Sequence, residues 1–304
     1  VRSMQHAATP DYDMANDPSL ASYTLSPDTD VDMLTQTRYD IQGRVQETED
    51  VNGRISRMVY DGLNRQVMTI TNYVEQGSPV VEPQNWTWNG SQWEYSTGNA
   101  INHGTDFDQN IISQTVYDSD GRVESTRNVE GLVSRNAYDA VGRSLLRIQN
   151  FVDNSYVDPA GTLSKDPWSW NSTQVYWEDG DNTEIARGAN YDQNLISKPD
   201  YDDEQRVFQM RDARGNVNRQ VYDEAGRSVM SIANYVAQED GNGNPIPPET
   251  WYWDNGWEGI ADVTSAVVAI GHGTDKDQNR ISSTQYDLLG RAYRTRDVAG
   301  RESY

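Results

Sequence analysis

Seven times along the chain a Tyr-Asp pair is followed by a short turn and an arginine, and no other feature limits the fold as strongly. The copies read YDIQGR from Tyr39, YDGLNR from Tyr60, YDSDGR from Tyr117, YDAVGR from Tyr138, YDDEQR from Tyr201, YDEAGR from Tyr222 and YDLLGR from Tyr286. The repeated positions are Tyr39, Asp40, Gly43 and Arg44; Tyr60 and Asp61; Tyr117, Asp118, Gly121 and Arg122; Tyr138, Asp139, Gly142 and Arg143; Tyr201 and Asp202; Tyr222, Asp223, Gly226 and Arg227; and Tyr286, Asp287, Gly290 and Arg291. An aspartate at the first position of a type I turn bonds its own backbone, and a glycine at the fourth takes the left-handed conformation that reverses the chain. Asn64 replaces that glycine and tolerates the conformation; Gln205 replaces it and tolerates it poorly, so a strained or different turn is expected there.

A second turn of the same kind lies between paired copies: DVNGR at Asp50, NVEGL at Asn128, DARGN at Asp212 and DVAGR at Asp297. The runs between turns, such as Arg54 to Tyr60 and Arg65 to Tyr73, are rich in β-branched and aromatic residues, as strands are. The chain therefore reads as all-β, a tandem array of antiparallel hairpins that is solenoid-like or shell-like, each repeat touching mainly its neighbours. A longer period overlies the short one. Tyr39 and Tyr60, Tyr117 and Tyr138, and Tyr201 and Tyr222 are each 21 residues apart, while the leading tyrosines are separated by 78, 84 and 85. This gives one continuous array: a truncated preceding copy over 1–38, super-repeats over 39–116, 117–200 and 201–285, and the start of a fourth over 286–304. Both ends are expected to fall within a repeat.

Only 35% of residues are hydrophobic, and 18 Tyr and 9 Trp stand against 3 Phe, so amphipathic rings must supply much of the buried area. A net charge of −22 repels nucleic acid and anionic membrane surfaces, and such a chain must disperse its charge, pair it with arginine or bind cations. There is no cysteine, hence no disulfide framework, and no apolar run long enough to insert into a membrane.

The seven Tyr-Asp units resemble the YD repeat of the Rhs family, which includes the shell-forming B and C components of bacterial Tc toxins and the extracellular teneurins. The resemblance covers nearly the whole chain from Tyr39 onward. It implies a bacterial protein, outside the cell or on its surface, in which hairpins spiral into a wide sheet and the repeat tyrosines stack in ladders between neighbours. It also implies that such a sheet can close into a hollow shell holding a toxin polypeptide. Long Trp- and Asp-rich inserts in every super-repeat depart from the ordinary YD unit.

Each insert ends in an acidic segment: HGTDFDQN from His103, RGANYDQN from Arg187 and HGTDKDQN from His272, with SPDTDVDM from Ser26 a weaker match. Oxygen-bearing side chains at alternate positions suit a hard cation. A structural calcium ion would take Asp106, Asp108 and Asn110; Asn190, Asp192 and Asn194; Asp275, Asp277 and Asn279; or Asp28, Asp30 and Asp32. The plainer reading is an Asx-rich turn capping a strand. The inserts themselves carry Trp86, Trp88 and Trp93, then Trp168, Trp170 and Trp177, then Trp251, Trp253 and Trp257. Two readings stand beside each other: packing on a neighbouring super-repeat or chain, preferred because so small a hairpin must bury against something, and an exposed row that stacks on glycan rings.

His103 and His272 occupy one repeat position that Arg187 fills in the middle copy, which argues against a catalytic or metal-binding histidine. No nucleophile elbow or phosphate loop is present. The sequence thus predicts no catalytic residue. Arginines of the Gly-Arg pairs are expected to bridge to carboxylates of stacked hairpins and set register. The function expected is a fibre, sheath or stalk element whose partners are other repeats and identical chains. Its alternatives are the wall of an enclosing shell and a glycan-binding adhesin.

Overall fold

The computed structural model describes residues 2–5, 33–152, 168–178, 182–253, 256–259 and 268–304. The Asp28, Asp30 and Asp32 set lies outside them, as does the side chain of Trp257. The chain divides into two compact units, Val1–Ser134 and Arg135–Tyr304. In the first, Met33–Tyr39, Val45–Glu49, Ile55–Tyr60, Gln66–Thr71, Ile111–Tyr117 and Val123–Arg127 form an antiparallel meander, with Arg2–Gln5 paired to Met33–Tyr39. In the second, Val133–Tyr138, Ser144–Gln149, Leu195–Tyr201, Val207–Arg211, Val217–Tyr222, Ser228–Ala233, Arg280–Tyr286, Ala292–Arg296 and Glu302–Ser303 do the same. Among the described residues the only helical pieces are two 3-10 turns, Pro83–Asn85 and Pro248–Thr250, each leading into a tryptophan.

Each Tyr-Asp turn is built as the sequence predicts. Gly43 N–H donates to Asp40 O and Asp40 N–H to Arg44 O. The register then slips at the tyrosine, so that Arg38 pairs with Glu47 but Tyr39 with Val45. This is a type I turn followed by a glycine bulge, which adds local twist to the hairpin. Gly43, Gly121, Gly142, Gly226 and Gly290 all have φ between 78° and 89°, and Asn64 has 64°. Gln205 adopts the same turn, with its N–H on Asp202 O at 2.9 Å and φ of 67°. Of the two outcomes expected at this position, the turn is conserved and the backbone carries the strain.

Three pairs of neighbouring strands are joined by the long inserts. Gln66–Thr71 pairs with Ile111–Tyr117, Ser144–Gln149 with Leu195–Tyr201, and Ser228–Ala233 with Arg280–Tyr286. The insert leaves and rejoins the sheet through two left-handed asparagines. Asn110 N–H donates to Asn72 O, Asn110 Oδ1 accepts from Val74 N–H, Asn110 Nδ2 donates to Asn102 O, and Asn72 Nδ2 donates to Asp108 O. Asn150 with Asn194, and Asn234 with Asn279, repeat the clamp. Asn110, Asn194 and Asn279 are fully buried.

The insert folds back over one face of the sheet, and the core lies between them. Val59, Met68, Ile70 and Ile112 of the sheet meet Tyr73, Trp86, Trp93 and Ile101 of the insert. The second cluster joins Leu146, Ile148 and Ile196 to Trp168, Trp177 and Ile185, and the third joins Met230, Ile232 and Ile281 to Ile246, Trp251 and Ile270. Strand alternation explains the one-sided core: Met68 and Ile70 share a face and are buried, while Val67 and Thr69 between them are half-buried and Thr71 is exposed.

Replacing Gln205 by glycine should stabilise the chain by roughly 0.5–1 kcal/mol, because it removes a left-handed non-glycine residue while the turn keeps its bonds. A urea unfolding curve that moves to lower denaturant for Gln205→Gly would contradict this account of the turn.

Candidate functional site

The repeated chemistry of this chain is the contact that passes from one hairpin to the next. In the first turn Asp40 Oδ1 accepts from the N–H groups of Gln42 and Arg44, both at 2.9 Å, and Oδ2 accepts from Arg44 Nε at 2.7 Å. The same Asp–Arg grip recurs at Asp61–Arg65, Asp118–Arg122, Asp139–Arg143, Asp202–Arg206, Asp223–Arg227 and Asp287–Arg291. The sequence-based expectation placed arginine–carboxylate pairs between hairpins; the spacing of four residues instead closes the ion pair within a single turn.

A guanidinium fixed this way presents its flat face to the next tyrosine. Arg44 lies 4.5 Å from the ring centroid of Tyr60, Arg65 4.6 Å from Tyr117, Arg143 4.8 Å from Tyr201, Arg206 4.6 Å from Tyr222 and Arg227 4.7 Å from Tyr286. Each of these tyrosines also donates its hydroxyl to the carbonyl just after that arginine: Tyr60 to Val45 O, Tyr117 to Gln66 O, Tyr201 to Ser144 O, Tyr222 to Val207 O and Tyr286 to Ser228 O, at 2.8–3.1 Å. The expected ladder of tyrosine on tyrosine is therefore, at these five positions, a ladder of tyrosine on arginine. A cation–π contact contributes about 0.5–1 kcal/mol at a partly exposed site, and the hydrogen bond a similar amount.

The turn carboxylates are held below the ordinary aspartate range. For Asp61 the backbone N–H of Arg65 is the leading cause, opposed by desolvation and reinforced by the Arg65 guanidinium. For Asp40 desolvation pushes upward, and the bonds from the Arg44 backbone, the Arg44 side chain and Gln42 outweigh it.

The tryptophans form a second repeated contact. Trp168 is stacked on Phe151 at 5.9 Å, Trp86 and Trp251 lie tilted 5.8 Å from Tyr73 and 5.9 Å from Tyr235, and all three tryptophans are buried. Arg57, Arg135 and Arg219 lie 4.9–5.9 Å from Tyr73, Phe151 and Tyr235. Trp93 and Trp177, buried in turn, donate Nε1–H to Asn128 O and Asp212 O of the next super-repeat's second turn. Trp88, Trp170 and Trp253 cover the glycines of those turns. A Cβ built on Gly131 would stand 2.1 Å from the Trp88 ring, on Gly215 2.1 Å from Trp170, and on Gly300 2.5 Å from Trp253. Arg127, Arg211 and Arg296, each just before its turn, complete the seat at 5.6, 5.5 and 5.0 Å. Through these contacts the inserts pack on the next super-repeat. The rings of Trp86, Trp93, Trp168, Trp177 and Trp251 are enclosed, whereas Trp88, Trp170 and Trp253 are half-buried with one side on a turn.

The alternate-position cation sets do not assemble. Asp106, Asp108, Asp192, Asp275 and Asp277 are exposed, as is Asn190. Asn110, Asn194 and Asn279 turn inward, with both amide atoms spent on backbone. The asparagines are clamps for the insert, closer to the Asx-turn reading than to a ligand set. Among the described residues no three acidic or histidine side chains gather around a point. His103 and His272 set Nδ1 against the carbonyls of Gln109 and Gln278, while Arg187 reaches Ala213 O instead.

Sequence reasoning missed the Asn72–Asn110 clamp and the arginine ahead of each covered turn. Both had a signal. Asn72, Asn150 and Asn234 recur in TNYV, QNFV and ANYV, and the arginine is absent only from the first second-type turn, where Glu49 precedes Asp50 and no tryptophan precedes it in the chain.

No protein-family profile matches the chain, and no curated protein matches it in sequence. Among solved structures it is similar to a chain of the complex TcdB2-TccC3-TEV, at 14% identity and a TM-score of 0.35, over 87% of this chain and 11% of that one. It is also similar to chains of the Photorhabdus luminescens Tc holotoxin pore, at 11% identity, TM-score 0.20 and 99% and 18% coverage, and of TcdB2-TccC3, at 12%, 0.19 and 97% and 19%. The chain spans less than a fifth of the length of each of these chains.

Gly131→Ala should destabilise by about 2–4 kcal/mol, since it meets both a left-handed backbone and the Trp88 ring, whereas Gly121→Ala, open on its Cβ side, should lose only about 1 kcal/mol. Equal losses in chemical denaturation would refute the seat. The turn aspartates also set a pH dependence. Their folded values lie below the unfolded value of about 3.9, so the unfolded chain binds protons more readily in acid. That stability is present above about pH 4–5 and is lost as pH falls through the folded values. Thermal melts should show a falling Tm below about pH 4, lessened when Asp61 and Asp223 are both changed to asparagine.

Proposed function

We propose that this chain is a non-enzymatic structural segment, a fibre, sheath or stalk element, of a larger extracellular or cell-surface YD-repeat protein. The observation that carries the reading is the Asp–Arg–Tyr contact, which recurs from hairpin to hairpin with the same donor, the same ring and the same carbonyl. A contact whose acceptor side and donor side are both present on every unit extends a sheet without limit, and quasi-one-dimensional stability follows from it. Nothing in this contact performs chemistry; its chemical role is cohesion. Partners are further hairpins of the same chain, and the tryptophan seats extend the same logic to successive super-repeats.

Enclosure, as in a hollow shell, is the second reading, and the difference between the two faces of the sheet favours it. One face lies under the inserts. On the other, cross-strand partners are small and uncharged: Thr37 with Thr48, Thr48 with Ser56, Met58 with Thr69, Thr69 with Ser113, and Thr115 with Thr126. In the second unit Gln220 pairs with Ser231, Ser231 with Ser282, and Thr284 with Thr295. Arg147, opposite Asn136 and Ser197, is the charged exception on this face; in a chain of net charge −22 the remaining small, uncharged positions suit a lining that must not hold its contents.

Electron microscopy of the native full-length assembly separates the readings. Fibres or tubes with an axial repeat of one super-repeat are expected for an open wall, and discrete shells with internal density for an enclosing one. Dispersed monomeric particles lacking extended sheet would overturn both.

A further inference from the structure

One cavity breaks the pattern of the repeats. It has a volume of about 1050 Å³ and lies in the second unit, between the acidic segment of the middle insert, the strands Ser144–Gln149 and Leu195–Tyr201, and the turn at Asp212. Arg147, Arg187 and Arg214 line it, together with Asn190 and Tyr191.

Internal comparison shows how the middle super-repeat came to differ. Aligning Ile148 with Ile70 and Ile232 puts Arg147 where the other copies have Thr69 and Ser231. Aligning the clamp asparagines puts Arg187 in place of His103 and His272, and Asn190 in place of Asp106 and Asp275. Aligning the covered glycines puts Arg214 in place of Glu130 and Ala299. Four positions distant in sequence, all on one cavity, have each moved toward positive charge. The first copy carries two acids at these places and the third carries one; the middle copy carries three arginines and no acid.

These arginines are also unlike the others. The turn arginines are gripped by their own aspartates, but among the described residues no carboxylate is ion-paired with Arg147, Arg187 or Arg214. Arg187 donates to Ala213 O and stands 5.1 Å from the Tyr191 ring centroid, and Arg147 reaches only Asn136 Oδ1 at 3.5 Å. Asp192 and Asp212 also line the cavity, so three guanidiniums face two carboxylates, neither of which is ion-paired with them. Asp212 is engaged with the N–H groups of Arg214 and Asn216 and with the Asn216 amide, and Asp192 holds a place that is Asp108 and Asp277 in the other copies.

We propose that this cavity binds a short oligosaccharide bearing carboxylates, a uronate-containing sugar. Guanidinium groups match carboxylates in a two-pronged geometry. Tyr191, 67% exposed, offers an aromatic surface to a pyranose ring, and the amides of Asn190 and Gln149 supply donors and acceptors for hydroxyls. The volume suits a ligand of a few sugar rings. The strong negative charge of the whole chain opposes densely charged polyanions and leaves ligands with a few spaced charges. This site does not depend on whether the wall is open or closed.

The test is calorimetric titration of the full chain with trigalacturonate at low salt, beside its methyl ester, a tetraglutamate peptide and inorganic sulfate. The variant combines Arg147→Thr, Arg187→His and Arg214→Glu, residues the first super-repeat holds at the same places, so its fold accommodates them; a thermal melt verifies that. Saturable binding that weakens at least about tenfold in the variant, and about tenfold for the methyl ester, is expected. Absence of saturable binding, equal binding by the folded variant, or sulfate or tetraglutamate binding as tightly as trigalacturonate would overturn the proposal.

Discussion

Everything in this chain depends on a carboxylate that accepts three hydrogen bonds at once. Asp40 and its equivalents tie two backbone N–H groups and one guanidinium into a five-residue ring, so the turn and the arginine are fixed together. Ordering a long arginine side chain costs conformational entropy. Here that cost falls within the turn, before any neighbour arrives, and the flat guanidinium is already in place for the next tyrosine. The tyrosine then closes the connection through its hydroxyl. A chain with only 35% hydrophobic residues can extend a sheet this way because cohesion along the sheet is polar and repeated, while the apolar cores are small and set one to an insert.

The hairpins were legible from the sequence because their signal is local. A turn that needs aspartate, a left-handed fourth position and an arginine writes all three within five residues, and Asn64 and Gln205 even show which substitutions the geometry accepts. What the tyrosine touches was not legible. Arg44 and Tyr60 are far apart in sequence, and aromatic recurrence alone suggests rings stacked on rings; that the ion pair would free the face of the guanidinium for the ring follows only from seeing the Asp–Arg bond close within its own turn. The acidic segments misled for a related reason. Alternating oxygen-bearing side chains look alike whether they surround an ion or whether one of them, Asn110, turns inward to satisfy Val74 N–H and Asn102 O. Burial decides between the two, and burial is set by the insert as a whole.

The tryptophans illustrate how one chain can serve as its own alignment. Trp88, Trp170 and Trp253 each lie on a glycine preceded by an arginine, and Glu49 stands where no tryptophan precedes the turn. Ring, glycine and cation thus travel as a set, as expected when a flat aromatic needs bare backbone beneath it and positive charge beside it.

The asparagine clamp carries a consequence for how such a chain can change over time. Asn72 and Asn110 hold the two ends of an insert side by side, and the same is true of Asn150 with Asn194 and Asn234 with Asn279, although the residues enclosed differ in number. Once the ends are fixed, lengthening the segment between them adds only a slowly growing, logarithmic loss of chain entropy. The sheet therefore registers only the insert residues that pack on it, such as Trp86, Trp93 and Ile101, and not the length or surface of the rest. Each insert behaves as an exchangeable cassette plugged into a constant socket, free to acquire a new surface in one copy while the hairpins on either side keep their register.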